Sequence, residues 1–391
     1  GILAIPVGIV ARITSRFSPI AFVILLMEEA RARFPFGGFS WTRIAYSQVD
    51  SPSSQIVSFT SLIGLSIIVL LLAQLILHPT ITLFALLSAI LTVSLLVLPS
   101  NSDGTTLHVR AIQGGVPERG FEFNKRAQEV LDNHIKTTLR EINVKDELIV
   151  WPENSIDIDP IKNSSVAKKM TDLIHSINKP LIAGAILDDE KLYNSTILFG
   201  KNGSIQSIYL KRYLTPFGEY IPFRKIAALA SPHVNRVTDF SPGTELIVHR
   251  LPQANIGSII CYEILNDGLV REMAAHSDLL IVHTNSATFS GSSEGEQQLA
   301  ITRLRAIEAG RSIISISTTG PSAVIDARGE VERKLEDGEI GSLSSNVPLR
   351  HDETFAQRLG GFGPLIALLL TFIWALASWK YPRIGKRKGL E

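Results

Sequence analysis

Sulfur is scarce in this 391-residue sequence, which holds one cysteine, Cys261, and three methionines. A single thiol excludes any intrachain disulfide framework and any multi-cysteine metal site. One reactive side chain is left to explain, and a lone cysteine is more often a small buried hydrophobe than a nucleophile. Excess charge is missing too. With a formal net charge of +1, the chain has no global field to recruit nucleic acid or to repel an acidic partner. The N-terminus lacks a basic n-region and a small-residue cleavage site, so it does not read as a signal peptide. Gly1 runs directly into the apolar stretch from Ile2 to Val10, like the middle of a longer protein.

Apolar residues make up 45% of the sequence, and they crowd toward its two ends. Charge is nearly absent from three stretches, Ile56 to Leu77, Ile81 to Leu98 and Phe362 to Trp379, each close to the roughly 20 residues that cross a bilayer as a helix. Ser18 to Met27 and Ile2 to Val10 are shorter and read equally well as buried core. Lys380, Arg383, Lys386, Arg387 and Lys388 follow the last stretch at once, and positive charge stays on the cytoplasmic side. Counting back from that tail, the helices on either side of His78 and Pro79 form a hairpin turning inside. The loop from Glu28 to Gln55 lies outside, where Glu28, Glu29 and Asp50 partly balance Arg31, Arg33 and Arg43. The expected plan is an N-terminal membrane region over 1–100, an extracytoplasmic domain over 105–350, a C-terminal transmembrane helix over 361–380 and a basic cytoplasmic tail over 381–391.

Between the apolar ends, short apolar runs alternate with amphipathic stretches. Strands are expected at Leu107 to Ala111, Glu147 to Val150, Pro180 to Leu187, Tyr193 to Phe199, Ser204 to Leu210, Ile256 to Ile260, Asp278 to His283, Ile313 to Ser317 and Ala323 to Asp326. Helices are expected at Phe123 to Leu139, Val166 to Ile177 and Glu296 to Ala309. The alternation predicts a layered α/β domain. Reactive groups in such sheets collect just past the carboxyl ends of strands. Glu153, Lys211 and Cys261 each stand there. Singly, they read as a helix cap, a solvated charge and core filler. Together they are a base, a cation and a thiol. A thiol is mostly protonated near neutral pH and needs a nearby base or a positive field to become an efficient nucleophile. A fixed ammonium also lowers the barrier by meeting the negative charge that grows on an attacked carbonyl oxygen. None of the nine histidines sits in an elbow motif, although His283 is placed to lie near the site.

Three segments carry a resemblance. They are Trp151-Pro152-Glu153, the run from Lys211 through Pro216-Phe217-Gly218-Glu219-Tyr220 to Pro222, and Cys261-Tyr262-Glu263. In them the chain resembles the bacterial apolipoprotein N-acyltransferases, the membrane branch of the nitrilase superfamily. The likeness extends to Gly37-Gly38-Phe39-Ser40-Trp41, where the family usually shows Gly-Phe-Pro-Trp in an external loop. It implies a nitrilase-like αββα sandwich flanked by transmembrane α-helices in the bacterial cytoplasmic membrane. It also implies Glu153 as general base, Lys211 as oxyanion stabiliser and Cys261 as the acylated nucleophile, with Glu219, Tyr262, Glu263 and Trp41 supporting the site or binding substrate. The implied reaction is ping-pong and uses no cofactor or metal. A phospholipid donates an acyl chain to the cysteine, and the α-amine of a diacylglyceryl-cysteine on an apolipoprotein then takes it. The partners are therefore phospholipid, apolipoprotein and membrane lipid, with no nucleic acid.

Three departures from that family stand out. Many members read Thr-Asn-Asp-x-Trp-Phe where this chain has Thr284-Asn285-Ser286-Ala287-Thr288-Phe289. Near Gln113-Gly114 the usual Asn and Lys-Trp give way to Gly115 and Phe121-Glu122-Phe123. The family also has several more N-terminal helices than this chain. A membrane-tethered amidase that hydrolyses its thioester would carry the same triad, and a non-catalytic lipoprotein-binding module is the third reading.

Overall fold

A computed structural model of the chain describes residues 5–14, 17–77, 79–96, 104–116, 127–230, 234 and 238–380. The expected turn at His78, the start of the Phe123 helix, the Phe121-Glu122-Phe123 departure and the basic residues from Arg383 to Lys388 lie outside them. The chain divides into two compact units, Gly1–Val97 with Arg358–Glu391, and Leu98–Gln357.

The first unit is helical: α1 (Ile5–Ile13), α2 (Phe17–Arg31), α3 (Val57–Leu77), α4 (Ile81–Leu96) and α11 (Phe362–Lys380). Ala21 and Leu25 of α2, Ile63 and Leu70 of α3 and Ala367 of α11 form its core. Among the described residues, one helical stretch, Ser54–Leu77, is long and apolar enough to cross a membrane, and Phe362–Ala377 is a shorter apolar helix. Ser18 to Met27 belongs to α2, which runs on through Glu28 and Glu29 to Arg31. This corrects the expected loop. The two carboxylates are buried helical groups, not loop charges open to water. Glu28 accepts from the Ile44 N–H at 2.8 Å and from Ser66 Oγ at 2.8 Å. Glu29 pairs with Arg33 and, at 3.2 Å, with Arg43.

The second unit runs β1 (Thr106–Gln113), α5 (Ala127–Glu141), β2 (Leu148–Val150), α6 (Ser164–Ile177), β3 (Leu181–Asp189), β4 (Lys191–Phe199), β5 (Ile205–Leu210) and α7 (Arg224–Ala230). It continues through β6 (Val248–Leu251), β7 (Ala254–Ile260), α8 (Asp267–Ala275), β8 (Leu279–Thr284), α9 (Glu294–Ala309), β9 (Ile313–Ser317), β10 (Ser322–Ile325), β11 (Val331–Leu335) and β12 (Gly341–Pro348), and the boundary at Gln357 falls within α10 (Phe355–Leu359). The strands form two six-stranded sheets, ordered β12-β1-β2-β3-β4-β5 and β11-β10-β9-β8-β7-β6. In each, a parallel trio (β1-β2-β3, β7-β8-β9) is flanked by antiparallel strands.

Strand periodicity explains the layers, because successive side chains point to opposite faces. Leu107, Val109, Val150 and Ile182 of the first sheet face Ile256, Ile281 and Ile316 of the second across the central core. The alternate residues Ile149, Leu181 and Ala183 pack outward against Met170, Leu173 and Ile174 of α6. Each fully buried aliphatic side chain contributes about 1.5–3 kcal/mol. α6 is fixed at both ends: Asn163 Oδ1 accepts from the Ser165 and Val166 N–H groups, and Asn178 closes the helix in the left-handed region at φ 51°. α8 and α9 cover the second sheet, so the order of layers is α, β, β, α.

Candidate active site

Each expected residue of the triad leaves a strand end in a tight turn. Glu153 follows β2, and its turn fits only because β3 carries Gly184. A Cβ there would lie 2.4 Å from the Pro152 oxygen and 2.6 Å from the Glu153 Cα. Ser155 Oγ and the Ile156 N–H both bond the Gly184 oxygen and so seat the turn. Lys211 follows β5. Its oxygen accepts from the Gly243 N–H at 2.8 Å, and a Cβ on Gly243 would meet the Leu210 oxygen at 2.5 Å. Cys261 follows β7 at φ 49°, a left-handed conformation that costs a non-glycine residue roughly 1–2 kcal/mol. It aims the thiol out of the strand, as a nucleophile elbow does.

Glu263 holds that strained turn. Its Oε2 accepts from the Ile260 N–H at 2.9 Å. Its Oε1 accepts from the Arg212 N–H at 2.7 Å, the Tyr213 N–H at 3.2 Å and Tyr209 Oη at 2.9 Å. One buried carboxylate thus ties the turn that carries Cys261 to the turn that carries Lys211. Burial pushes Glu263 up to about 7, against the pull of the Ile260 N–H and the Lys211 charge.

Glu153 and Lys211 are buried, at 5% and 1% exposure. The Lys211 ammonium lies 2.7 Å from Glu219 Oε2 and 3.5 Å from Glu153 Oε1. Between the two carboxylates stands Asn194 of β4, whose Nδ2 donates to Glu153 Oε1 and to Glu219 Oε1, each at 2.7 Å. Glu219 also accepts from the Thr215 N–H at 2.8 Å. The distances divide the work. Burial acts to raise Glu219, but its close pair with Lys211 prevails and holds it below the usual carboxylate range. Glu153 is farther from the ammonium, and burial raises it despite Lys211, with the Glu219 charge adding to the rise. Burial alone would lower Lys211, yet Glu219, Glu153 and Cys261 together raise it, so the ammonium stays charged. Cys261 as a residue is half-buried. The atoms around it raise its pKa, Glu153 raises it further and Lys211 opposes both. The resting group is therefore a neutral thiol beside a carboxylate of raised basicity. That pairing suits proton transfer during attack better than a standing thiolate.

Tyr262 is half-buried beside the thiol, and Tyr220 lies within its electrostatic reach. Trp41 lies in the helical unit, stacked on Phe39 with ring centroids 6.4 Å apart. His283 does not touch the triad through its ring. Its Nδ1 bonds the Trp151 oxygen at 2.9 Å and its Nε2 meets Ser258 Oγ at 3.1 Å. Burial lowers it to about 4, so it is a neutral tie between the β8 and β2 ends, not a base. In the segment that departs from the family, Asn285 Oδ1 accepts from Thr318 Oγ1 at 2.8 Å, and Ser286, one of the differing residues, is buried against Gly320.

Sequence reasoning missed two contributors. Asn194 left one signal, a run of three polar residues, Asn194-Ser195-Thr196, inside an otherwise apolar strand. Gln298 of α9 left none. It is buried and points Nε2 at Cys261 Sγ, 3.9 Å away. Among the described residues, no group of three or more His, Cys, Asp or Glu side chains is arranged to hold a metal ion.

Two stacked sheets with Glu, Lys and Cys at their strand ends define a carbon-nitrogen hydrolase of the nitrilase type, and that family matches residues 109–351. An amidase of the nitrilase superfamily from Nesterenkonia AN1 has the same fold, with a TM-score of 0.50 at 17% identity, over 67% of this chain and 96% of that one. The apolipoprotein N-acyltransferase N-terminal domain matches residues 1–75. Apolipoprotein N-acyltransferase from Aquifex aeolicus is 30% identical over 342 residues, 84% of this chain and 76% of the relative. The one from Mycolicibacterium smegmatis is 32% identical over 283 residues, 68% of this chain, and the match spans about half of that relative, 47%. The chain belongs to the apolipoprotein N-acyltransferase family of the nitrilase superfamily.

Proposed function

We propose that this chain moves a fatty acyl group from a phospholipid to the α-amine of a diacylglyceryl-cysteine at the start of an apolipoprotein, through a thioester on Cys261. The observation that carries the reading is the buried cluster Glu153–Asn194–Glu219–Lys211 set against the one thiol. In the first half-reaction Glu153 accepts the thiol proton as Sγ forms a bond to the ester carbonyl carbon. Lys211, kept charged by Glu219, faces the oxygen on which negative charge grows. Glu153 then gives the proton to the departing lysophospholipid oxygen as the C–O bond breaks. In the second half-reaction the neutral amine attacks the thioester, the C–S bond breaks, and a proton from the nitrogen passes through Glu153 to Sγ.

Both substrates are lipids, which accounts for a hydrolase-like domain on a chain with apolar helices. We assign the chain to the bacterial cytoplasmic membrane as a multi-pass protein, with residues 105–350 outside the cytoplasm. The basic residues after the last apolar helix support that orientation.

The test is to incubate the membrane-embedded chain with phospholipid carrying a labelled acyl group and to seek the acyl adduct on Cys261 by mass spectrometry. The adduct forms in the natural sequence and is absent from Cys261→Ala. Glu153→Gln slows its formation by about 10²–10⁴-fold, the usual worth of a general base. Ammonia release from small amides with no adduct from phospholipid would replace this reading with a membrane-tethered amidase.

A further inference from the structure

α9 carries a second carboxylate within electrostatic reach of the thiol. Gln298 touches Cys261 Sγ, and residues four apart on a helix share a face about 6 Å apart along its axis. The residue one turn before Gln298 on that face is Glu294. Its charge reaches both Cys261 and Glu153. Its Oε2 is buried and has no hydrogen-bond partner among the described residues. Glu296, two residues on, is exposed and pairs with Lys334 at 2.9 Å. Among the described residues, Glu294 has no such cation. A buried carboxylate oxygen without a donor is unfavourable, and a ligand that brings a donor relieves that cost.

We propose that Glu294 is the subsite for the acceptor's α-ammonium. The proposal rests on the transferase reading above and names how the second substrate is recognised. A primary amine is an ammonium ion at neutral pH, and the lone pair that attacks a thioester is then occupied by a proton. Glu294 Oε2 accepts one N–H from the ammonium and takes that proton, leaving a neutral amine beside the thioester and a carboxylic acid on Glu294. The nitrogen forms the N–C bond, the C–S bond breaks, and the second N–H proton passes through Glu153 to Sγ. Glu294 returns its proton to solvent, so one proton is released for each amide formed. Burial raises the affinity of Glu294 for that proton, and the Glu153 charge raises it further. Water carries no cationic group for this carboxylate to hold. The subsite therefore favours transfer over hydrolysis.

The experiment prepares the acyl-Cys261 form of the full chain in detergent first and then chases it with one of two nucleophiles, so only the second half-reaction is read. One is a synthetic diacylglyceryl-cysteinyl peptide, which is cationic. The other is hydroxylamine, which is uncharged at neutral pH. In Glu294→Gln, the ratio of peptide-driven to hydroxylamine-driven loss of the adduct falls at least about tenfold, the worth of a charge-assisted hydrogen bond. Glu294→Asp restores part of the ratio, and thermal melting of each variant accompanies the kinetics. An unchanged ratio, whether both chases slow together or neither does, overturns the inference and leaves the transferase assignment standing. Failure of the natural sequence to form any acyl-Cys261 overturns the assignment itself, and the inference with it.

Discussion

Asn194 sets the two carboxylates of the site at a fixed spacing from Lys211, because one amide nitrogen donates to both. Hydrogen bonds to charged groups are worth about 1.5–3 kcal/mol. Asn194→Leu is therefore expected to slow acylation of Cys261 by roughly ten- to a hundredfold, measured as the single-turnover rate of adduct formation. The positions of Glu153, Lys211 and Cys261 were legible in the sequence because strand ends are readable from apolar runs, and each of the three follows one. Asn194 was not legible, since an Asn in mid-strand looks the same whether it faces solvent or a buried carboxylate. Glu294 was hidden by a boundary. The expected helix began at Glu296, whereas α9 begins at Glu294 and carries it onto the face of Gln298.

At the scale of elements, the turn after β7 is held from outside by α9. Arg305 is fully buried and spreads its guanidinium over four partners. It reaches the Ile264 oxygen at 3.0 Å, the Leu265 oxygen at 3.3 Å, and Asp267 and Glu308 at 2.6 Å each. Arg305→Met leaves two carboxylates and two carbonyls without their donor and is expected to destabilise the fold by about 3–5 kcal/mol, the cost of breaking a buried pair. Chemical denaturation of the purified chain measures it. Among the strands, β6, β11 and β12 escaped the sequence. β11 reads Val331-Glu332-Arg333-Lys334-Leu335 and β12 is rich in serine, and neither shows the alternation of a half-buried strand. Both are edge strands whose pairing to apolar neighbours, β10 and β1, decides their conformation.

At the scale of the whole catalytic unit, three buried histidines make the fold sensitive to acid. Burial lowers His134 and His283 to about 4 and His249 to about 3. Each is neutral in the fold and takes up a proton more readily when unfolded, where the histidine pKa is about 6.5. Their contribution to stability is full above pH 6.5 and is lost as pH falls toward 4 and then 3. Asp157 and Glu263, raised to about 7, have the opposite sign and favour the fold as pH falls below 7. His249→Gln, which keeps polar atoms beside Thr196 and Ser207, is expected to flatten the loss between pH 6.5 and 4. Urea titrations followed by fluorescence of the buried Trp151 at pH 7 and pH 4.5 check it. The orientation has its own test. With the single thiol removed by Cys261→Ser, a cysteine placed at the exposed turn by Lys201→Cys is expected to react with a membrane-impermeant maleimide added outside intact cells. Labelling only after the membrane is opened would reverse the orientation.

The sequence by itself determined the α/β class of this protein, the apolar character of its ends and the placement of Glu153, Lys211 and Cys261 just past strands. Those properties live in local period and in side-chain type, which a linear text carries. Only the tertiary structure decided that Lys211 pairs with Glu219 more closely than with Glu153, that Glu263 locks the cysteine turn to the lysine turn, and that α9 delivers Gln298 to the thiol and puts Glu294 within its electrostatic reach. The physical reason is range. Charge and hydrogen-bond energies change over single ångströms, and separations that small between residues far apart in sequence are fixed by how the layers pack.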